Sequence, residues 1–318
     1  GWLAKQHKSF PRVPPYRDLE DTGIDALIAE VKANVNIRLF TSSFTKEIVG
    51  APGLFDVDIA SSGNGKPEGE SVARVRVGSI VQATGWRPAD PRASLSYGDL
   101  DDVILDTELE TMMKESGQVT RPSDGKPANS VAFVLPGAYK ENGTNPFCSS
   151  LCSMNALKQA TYVREGGSDN KAFIFFEFMR TPGKYEDFFR KVQEDEGVFL
   201  TRGSVTEVTR EGDGTLTLTA ADTMLGQEIQ VKADLVVVAA GLKPNAADGE
   251  AIRALHDARV TMETGDSEAK KKEAARKKKK KEGTWRITSG PDARTAPGSC
   301  AQAARCWARV PMRANSPK

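Results

Sequence analysis

The sequence contains one strand ending twice, as IVQATGWRP at residues 80–88 and as VVVAAGLKP at residues 236–244. Each copy begins with an apolar run and reaches a glycine, Gly85 or Gly241, three positions before a proline. Short apolar runs rich in β-branched residues predict buried strands. A glycine that ends such a strand lets the backbone approach a ligand closely, because glycine has no Cβ. Both endings are therefore candidate binding turns, with a plain strand-end turn as the alternative.

Short alternating segments upstream of each ending predict two β-meanders. In the first, strands are predicted at 35–40, 44–49, 54–59, 72–77 and 79–85. In the second, strands are predicted at 197–200, 204–209, 215–219, 227–231 and 234–241. A chance likeness between two meanders is the alternative, and the shared Gly-x-x-Pro ending argues against it.

A β-α-β-α pattern precedes the second meander. Strands are predicted at 130–135 and 171–179, and helices at 149–165 and 185–196. Alternation of strands and helices indicates a parallel sheet. The first meander is preceded only by a predicted helix at 23–32, which indicates a domain that lacks its opening β-α-β in a chain cut at its N-terminus.

Charge divides the chain into two parts. The net charge is +1, yet residues 259–318 hold sixteen basic and six acidic residues, so the rest is acidic. This segment includes the lysine run 277–281 and has no sustained periodicity, which predicts a disordered basic tail at 251–318. A lysine run without interleaved aromatic residues is more typical of a solvated helix or of disorder, so no nucleic-acid partner is expected.

Composition excludes several classes of protein. Hydrophobic residues make up 39% and form no run of the roughly 20 residues that a spanning helix needs. Four cysteines in 318 residues do not form a disulfide scaffold and predict a cytoplasmic location. The two histidines, His7 and His256, offer no catalytic triad or metal arrangement. The glycine-rich segment 63–69 lies between predicted strands and is interpreted as a hairpin loop, because no helix follows it to bind phosphate.

Two cysteines stand at the start of the predicted helix 149–165. Cys148 and Cys152 are four residues apart and so share one helix face. A helix N-terminus lowers the pKa of a thiol and favours the thiolate. Half of an iron–sulfur site, a redox dithiol and two small buried residues all agree with this pattern, and the residues alone leave the three open.

Together these motifs resemble the A-type subunit of heterodisulfide reductase. They resemble still more closely the flavoprotein subunits of the quinone-interacting membrane-bound oxidoreductase of sulfate reducers. The resemblance covers about residues 1–250 and is carried by residues 1–11, 49–57, 82–88, 121–127, 147–152, 156–165, 180–186 and 233–241. It implies an α/β fold with two dinucleotide-binding domains, the first incomplete and each with a β-meander.

The expected domain organisation follows from these patterns. We expect a partial FAD-binding domain at 1–88 and a linker with one helix at 89–129. A second nucleotide-binding-like domain with the cysteine pair is expected at 130–250, and the basic tail follows it.

The resemblance also implies a function and its residues. It implies an FAD-dependent electron-transfer subunit that passes electrons between flavin and the iron–sulfur centres of partner subunits, one of them a membrane-bound subunit that reacts with quinone. Such a protein would be cytoplasmic, or peripheral to the membrane through its partners. The site residues implied or selected as candidates are Gly1 and Ala4 in the loop after a ribose-binding acid, Thr84 and Gly85 at the flavin-side turn, Gly241 at the second turn, Cys148 and Cys152 as cluster ligands, and Glu177 as a ribose contact.

The sequence departs from the family pattern at the cofactor sites. The family's Gly-x-Gly-x-x-Gly motif falls upstream of Gly1. Pro136 and Ser153 stand where two further cluster cysteines are expected, so two of the four thiolates of a [4Fe-4S] cluster are absent. The alternative hypothesis is therefore a non-catalytic scaffold subunit that has lost its cofactor sites.

Overall fold

The computed structural model describes residues 2–63, 67–88, 95–138 and 150–245. The chain forms two compact units. Unit 1 comprises residues 1–35 and 88–242, and unit 2 comprises residues 36–87 and the segment that begins at Lys243. The predicted tail at 251–318 lies outside the described residues.

The elements are numbered along the described chain. The strands are β1 (Lys8–Ser9), β2 (Glu20–Asp21), β3 (Ser43–Ala51), β4 (Leu54–Ser61), β5 (Ser71–Val77), β6 (Trp86–Pro88), β7 (Val103–Leu105), β8 (Ser130–Val134), β9 (Lys171–Phe176), β10 (Val198–Arg210), β11 (Leu216–Asp222), β12 (Gln227–Ala233), β13 (Leu235–Val238) and β14 (Leu242–Pro244). The helices are a short 3-10 turn (Trp2–Lys5), α1 (Ile24–Ala33), α2 (Asp106–Ser116), α3 (Ser150–Glu165) and α4 (Tyr185–Gln193). In the part of the chain that the structure covers, no helix has the length and apolar character needed to cross a membrane.

Unit 1 is built on a seven-stranded sheet with the order β12-β11-β10-β9-β8-β13-β7. The strands from β10 to β7 run parallel to their neighbours, while β11 and β12 are antiparallel. The predicted α/β class, parallel sheet and second meander are confirmed. The central strands are apolar without alternation because both faces of the sheet are covered.

Alternate residues of these strands enter two separate cores. One core joins Phe133 and Val237 to Leu157 of α3 and Phe188 of α4. The other joins the intervening strand residues, such as Val134, to the meander β10–β12. The amphipathic pattern predicted for α4 is confirmed, since Phe188 and Val192 are its buried residues.

The segment expected to be a linker at 89–129 belongs to this sheet in part. Val103–Leu105 forms β7, which pairs in parallel with β13, with Ile104 opposite Val237. The helix predicted nearby is α2, and Leu109 and Met113 bury its apolar face. The linker prediction is corrected because a strand of three residues is too short to show a period in the sequence.

Unit 2 contains the antiparallel meander β3-β4-β5. The strands predicted at 44–49, 54–59 and 72–77 are confirmed. The hairpin between β3 and β4 requires glycine at position 50, where φ is +111° and a Cβ would lie 2.1 Å from the Leu54 carbonyl oxygen.

The strands predicted at 35–40 and 79–85 are wrong. Neither segment is a strand, and the Val81 side chain is 89% exposed. A strand needs a neighbour for its backbone hydrogen bonds. The described residues supply no strand beside either segment.

The two repeated endings meet in a two-stranded sheet formed by β6 and β14. This ribbon holds Trp86–Pro88 and Leu242–Pro244, the residues that follow Gly85 and Gly241. The boundaries of the two units at residues 87/88 and 242/243 fall inside it. The repeat in the sequence therefore corresponds to two paired chain segments.

Candidate functional site

The turn at Thr84 and Gly85 in unit 2 is held by one asparagine. The Asn245 side-chain amide donates from Nδ2 to the Thr84 carbonyl oxygen at 2.9 Å. The Asn245 backbone N–H donates to the Gly85 carbonyl oxygen at 3.0 Å. Arg87 donates in turn to Asn245 Oδ1 at 3.4 Å. Two consecutive carbonyl groups of the turn are thus fixed by a single residue.

The opposite side of this turn is open. Gly85 is exposed and has a φ of +66°, and nothing lies within 4 Å of the position that a Cβ would occupy. Among the described residues, the Gly85 N–H makes no hydrogen bond. A left-handed glycine with free space beside it and an available donor suits the close approach of a planar ligand. The residues present therefore fit the flavin-side turn that the sequence predicts.

A second candidate site lies at the carboxyl edge of the unit 1 sheet. The chain leaves β8 through α3 toward β9 on one side, while β13 pairs on the other side of β8. Ligands of open α/β sheets bind at such a reversal of strand order. The residues at this edge include Gly137 after β8, Glu177 after β9 and Gly241 after β13.

Gly137 and Glu177 are in direct contact at this edge. Gly137 has a φ of +97°, and a Cβ there would lie 2.7 Å from Glu177 Oε2 and 3.2 Å from Glu177 Cβ. The Glu177 carboxylate thus uses space that only glycine leaves open. The sequence reasoning selected Glu177 and missed Gly137, although a glycine two residues beyond the predicted strand 130–135 was a usable signal.

The other predicted site residues are found in separate places. Ala4 is half-buried in the 3-10 turn of unit 1. Gly241 is buried in unit 1 with a φ of +76°. Cys152 is 2% exposed inside α3. Gly1 and Cys148 lie outside the described residues, so the predicted cysteine pair stays a prediction.

Side chains that could ligate a metal are scattered in the described part of the chain. Within residues 2–63, 67–88, 95–138 and 150–245, no group of three or more His, Cys, Asp or Glu side chains is placed to hold a metal ion. Cys300 and Cys306 fall outside these ranges.

Sequence reasoning missed a buried polar network in unit 1, centred on Glu110 of α2. Glu110 Oε1 accepts hydrogen bonds from the Tyr162 hydroxyl and from the His7 backbone N–H, both at 2.9 Å. It also lies 3.0 Å from Lys158 Nζ. Gln159 Nε2 donates to Glu110 Oε2 at 3.1 Å. We call these five residues the Glu110 cluster.

The Glu110 cluster attaches the N-terminal segment to α2 and α3. Lys158 Nζ donates to the Lys8 carbonyl oxygen at 3.1 Å, and the Lys8 N–H donates to the Tyr162 hydroxyl at 3.2 Å. Burial lowers the pKa of Lys158, and the Glu110 carboxylate opposes that change. Burial and the same carboxylate raise the pKa of the Tyr162 hydroxyl. Lys158 and Tyr162 therefore act as hydrogen-bond donors to one buried carboxylate.

Asp106, the first residue of α2, lies beside this cluster. Burial raises the pKa of its carboxyl to about 6, although a hydrogen bond from Asn155 Nδ2 at 3.2 Å opposes that change. Gln159 Nε2 also donates to the Asp106 carbonyl oxygen, at 2.7 Å. In the described structure, three buried oxygens nearby make no hydrogen bond: Thr107 Oγ1, Asn155 Oδ1 and Gln159 Oε1. Buried polar atoms of this kind are commonly satisfied by internal water.

Relatives of known function match about half of the sequence. No protein-family model matches the chain. The chain is 35% identical over 182 residues to a CoB–CoM heterodisulfide reductase iron-sulfur subunit of Methanopyrus kandleri, the second of its two A-type subunits; the match is 54% of this chain and 28% of that protein. It is 35% identical over 178 residues to the A-type subunit of the H2:CoB-CoM heterodisulfide,ferredoxin reductase of Methanothermobacter marburgensis, again 54% of this chain and 27% of that protein. A third relative, from Methanosarcina acetivorans, is the A-type subunit of a ferredoxin/F420H2-dependent CoB-CoM heterodisulfide reductase, 33% identical over 181 residues, which is 54% of this chain and 23% of that protein.

Solved structures of similar fold include two thioredoxin reductases. The enzyme of T. acidophilum has a TM-score of 0.46 and 13% identity, covering 77% of this chain and 66% of that one. The enzyme of Lactococcus lactis has a TM-score of 0.47 and 11% identity, covering 77% and 67%.

Over about half of its length, the chain is thus homologous to a component of oxidoreductase complexes. That component is the A-type subunit of heterodisulfide reductase, and the resemblance to it drawn from the sequence motifs is confirmed. The chain spans little more than a quarter of the length of the first two relatives.

Proposed function

We propose that this chain is part of an FAD-dependent electron-transfer subunit of a heterodisulfide-reductase-like complex. The observation that carries the proposal is the 35% identity over 182 residues to an A-type subunit of that enzyme. The relatives are subunits of larger enzymes, which supports a role inside an assembly of partner chains. The activity is that of an oxidoreductase, and the isolated chain is expected to be inactive.

The flavin would be held at the turn of Thr84 and Gly85. Bound FAD would supply the capacity to accept electrons from one partner and release them to another. Gly85 leaves room for the ring system, and its N–H donates toward the open side of the turn. Thr84 adds a half-buried hydroxyl at the same place. These groups fix the ring and tune its electronic environment.

The nucleotide-binding residues of unit 1 form the second part of the proposal. Glu177 accepts hydrogen bonds from ribose hydroxyls at the end of β9, and Gly137 provides the space in which its carboxylate turns. Gly241 lets a ligand approach the end of β13. Gly1 and Ala4 are assigned to the FAD ribose loop by resemblance alone.

Cys148 and Cys152 are proposed as two ligands of a [4Fe-4S] cluster. Thiolate is the protein ligand of such clusters, and four thiolates are normally needed. Because Pro136 and Ser153 replace two of the expected cysteines, the other ligands would come from elsewhere in the assembly. Anaerobic reconstitution followed by iron and sulfide analysis tests this: stoichiometric iron lost in Cys152→Ser supports the proposal, and equal iron in both proteins contradicts it.

We further propose that the complex is of the quinone-interacting type. The sequence motifs supply the support for this choice. The chain would then reside in the cytoplasm and reach the membrane only through its quinone-reacting partner. Co-purification of such a partner with the tagged chain supports this choice, and co-purification of a soluble complex alone contradicts it.

FAD binding by the 318-residue chain is the direct test. The purified protein is titrated with FAD while flavin fluorescence is recorded. Saturable quenching that weakens in Gly85→Val supports the proposal, because a side chain at Gly85 would fill the open space and strain the left-handed backbone. Gly125→Val is the matched control, since Gly125 has a φ of +72° and equally free space.

Absence of flavin binding in the wild-type chain would contradict the proposal for this chain. It would support the alternative of a scaffold subunit that binds partners without a cofactor. Iron analysis separates the two cases further, because a stoichiometric cluster excludes a bare scaffold.

A further inference from the structure

We propose that Asn245 is a positioning residue for the flavin: it orients the peptide between Thr84 and Gly85 so that the Gly85 N–H faces the ligand. This inference rests on the proposed function. It concerns a residue that lies far from the turn in the sequence and next to it in unit 2.

The peptide plane between Thr84 and Gly85 is fixed through its carbonyl group. A trans peptide points its carbonyl and its N–H in opposite directions. The Thr84 carbonyl oxygen accepts a hydrogen bond from Asn245 Nδ2 at 2.9 Å. The Gly85 N–H belongs to the same peptide and is therefore directed away from Asn245. The side chain of Asn245 thus sets the direction of a donor that it does not touch.

The peptide that follows Gly85 is fixed by the same residue. The Asn245 backbone N–H donates to the Gly85 carbonyl oxygen at 3.0 Å. Gly85 has a φ of +66°, and glycine adopts many other backbone conformations with little cost. A flexible residue between two fixed carbonyl groups is held in one conformation. Asn245 therefore limits the freedom that Gly85 would otherwise have.

The side-chain amide of Asn245 is itself oriented by Arg87, whose Nη1 donates to Asn245 Oδ1 at 3.4 Å. This contact places the Nδ2 donor on the side of Thr84. Aspartate at this position would keep an acceptor for Arg87 and lose the donor for Thr84. Asn245→Asp is therefore a nearly isosteric variant that removes one half of the arrangement.

The experiment measures FAD binding and the flavin spectrum in the 318-residue chain. In Asn245→Asp and in Asn245→Ala, we expect the dissociation constant of FAD to rise about tenfold, the effect of losing one hydrogen bond. We also expect the absorption band and the midpoint potential of the bound flavin to shift, because the donor at Gly85 is no longer fixed. Agreement of the two variants shows that the lost donor, and not the new charge, is the cause.

Asn170→Asp is the matched control. Asn170 Nδ2 donates to the Val163 carbonyl oxygen at 2.9 Å, which is the same bond type and length in unit 1. Its loss is expected to lower the thermal stability and to leave FAD affinity and the flavin spectrum unchanged.

The outcomes separate the inference from the proposed function. If the wild type binds FAD and both Asn245 variants bind it with the same affinity and spectrum, the positioning role is overturned and the proposed function stands. If the wild type binds no FAD, both are overturned. A loss of affinity without any change in spectrum or potential would reduce Asn245 to a structural residue and also overturns the inference.

Discussion

Lys158 has no exposed side-chain surface and lies 3.0 Å from Glu110, measured from Nζ to Oε1. Both residues belong to helices that cover the unit 1 sheet. Removing a buried ion pair as a whole is far less costly than removing one partner, because the remaining charge is then buried without compensation. This asymmetry gives a test of the Glu110 cluster.

Lys158→Met is expected to lower the free energy of unfolding by about 3–5 kcal/mol, the usual cost of leaving one buried charge unpaired. The double variant Lys158→Met with Glu110→Gln is expected to recover much of this loss. Urea denaturation measures both. Lys191→Met is the control, because the Lys191–Asp18 pair is exposed and contributes about 1 kcal/mol or less. Equal losses in the two single variants would show that the cluster is not the buried unit described above.

A pH dependence of stability is predicted from Asp106. Burial raises the pKa of its carboxyl from 3.8 to about 6, so between these values the folded state binds more protons than the unfolded state. Stability contributed at this site is therefore full at low pH and is lost as the pH rises through 6. The shift corresponds to about 3 kcal/mol between pH 4 and pH 7.

Asp106→Asn tests this pH dependence. The variant cannot ionise at this position, so its free energy of unfolding is expected to lack the component that falls as the pH rises from 4 to 7. The measured quantity is the difference between the wild type and the variant across that range, which removes the contribution of other carboxyl groups. A difference that does not vary with pH would contradict the predicted shift.

Gly137→Ala is expected to displace Glu177. A Cβ at Gly137 would lie 2.7 Å from Glu177 Oε2, whereas Gly125 also has a positive φ but open space around it. Both alanine variants carry a backbone strain of about 1–2 kcal/mol. Gly137→Ala is expected to cost about 1 kcal/mol more, because a close contact must be relieved. Chemical denaturation measures this excess, which should vanish when Glu177 is also replaced by alanine.

Gly50→Ala is expected to disrupt the hairpin of unit 2. Its Cβ would lie 2.1 Å from the Leu54 carbonyl oxygen, and backbone atoms cannot move aside as a side chain can. Gly53→Ala, with a φ of +92° and nothing within 4 Å, carries the backbone strain alone. We expect a loss above about 3 kcal/mol for Gly50 and about 1–2 kcal/mol for Gly53. Comparable losses in the two variants, measured by urea denaturation, would refute the steric explanation.

The sequence predicted those parts of the fold whose signals are local. Alternation located β3, β4 and β5, and an apolar run located β8, because each pattern continues for at least five residues. The strand β7 was missed because three buried residues carry no period. The segment 79–85 has the composition of a strand and is not one, because pairing depends on neighbours that composition does not reveal.

The candidate sites were predictable only in part. Thr84, Gly85 and Glu177 stand at the ends of predicted strands, where a simple rule about glycine turns and strand ends applies. Asn245 and Glu110 were not found, because each acts on residues that are distant in the sequence. No local pattern indicates that Asn245 binds Thr84, or that Lys158 of α3 compensates Glu110 of α2.

The position of β13 has a consequence for the order in which the chain can fold. This strand lies between β8 and β7, yet the ribosome makes it after every other strand of the unit 1 sheet. Until residue 235 has been synthesised, β7 lacks its partner in that sheet, and its apolar residues Val103 and Ile104 are exposed to solvent or to other chains. Pairings between distant segments form slowly, and unpaired strand edges promote aggregation. Newly made chains are therefore expected to depend on chaperones until the last strand inserts.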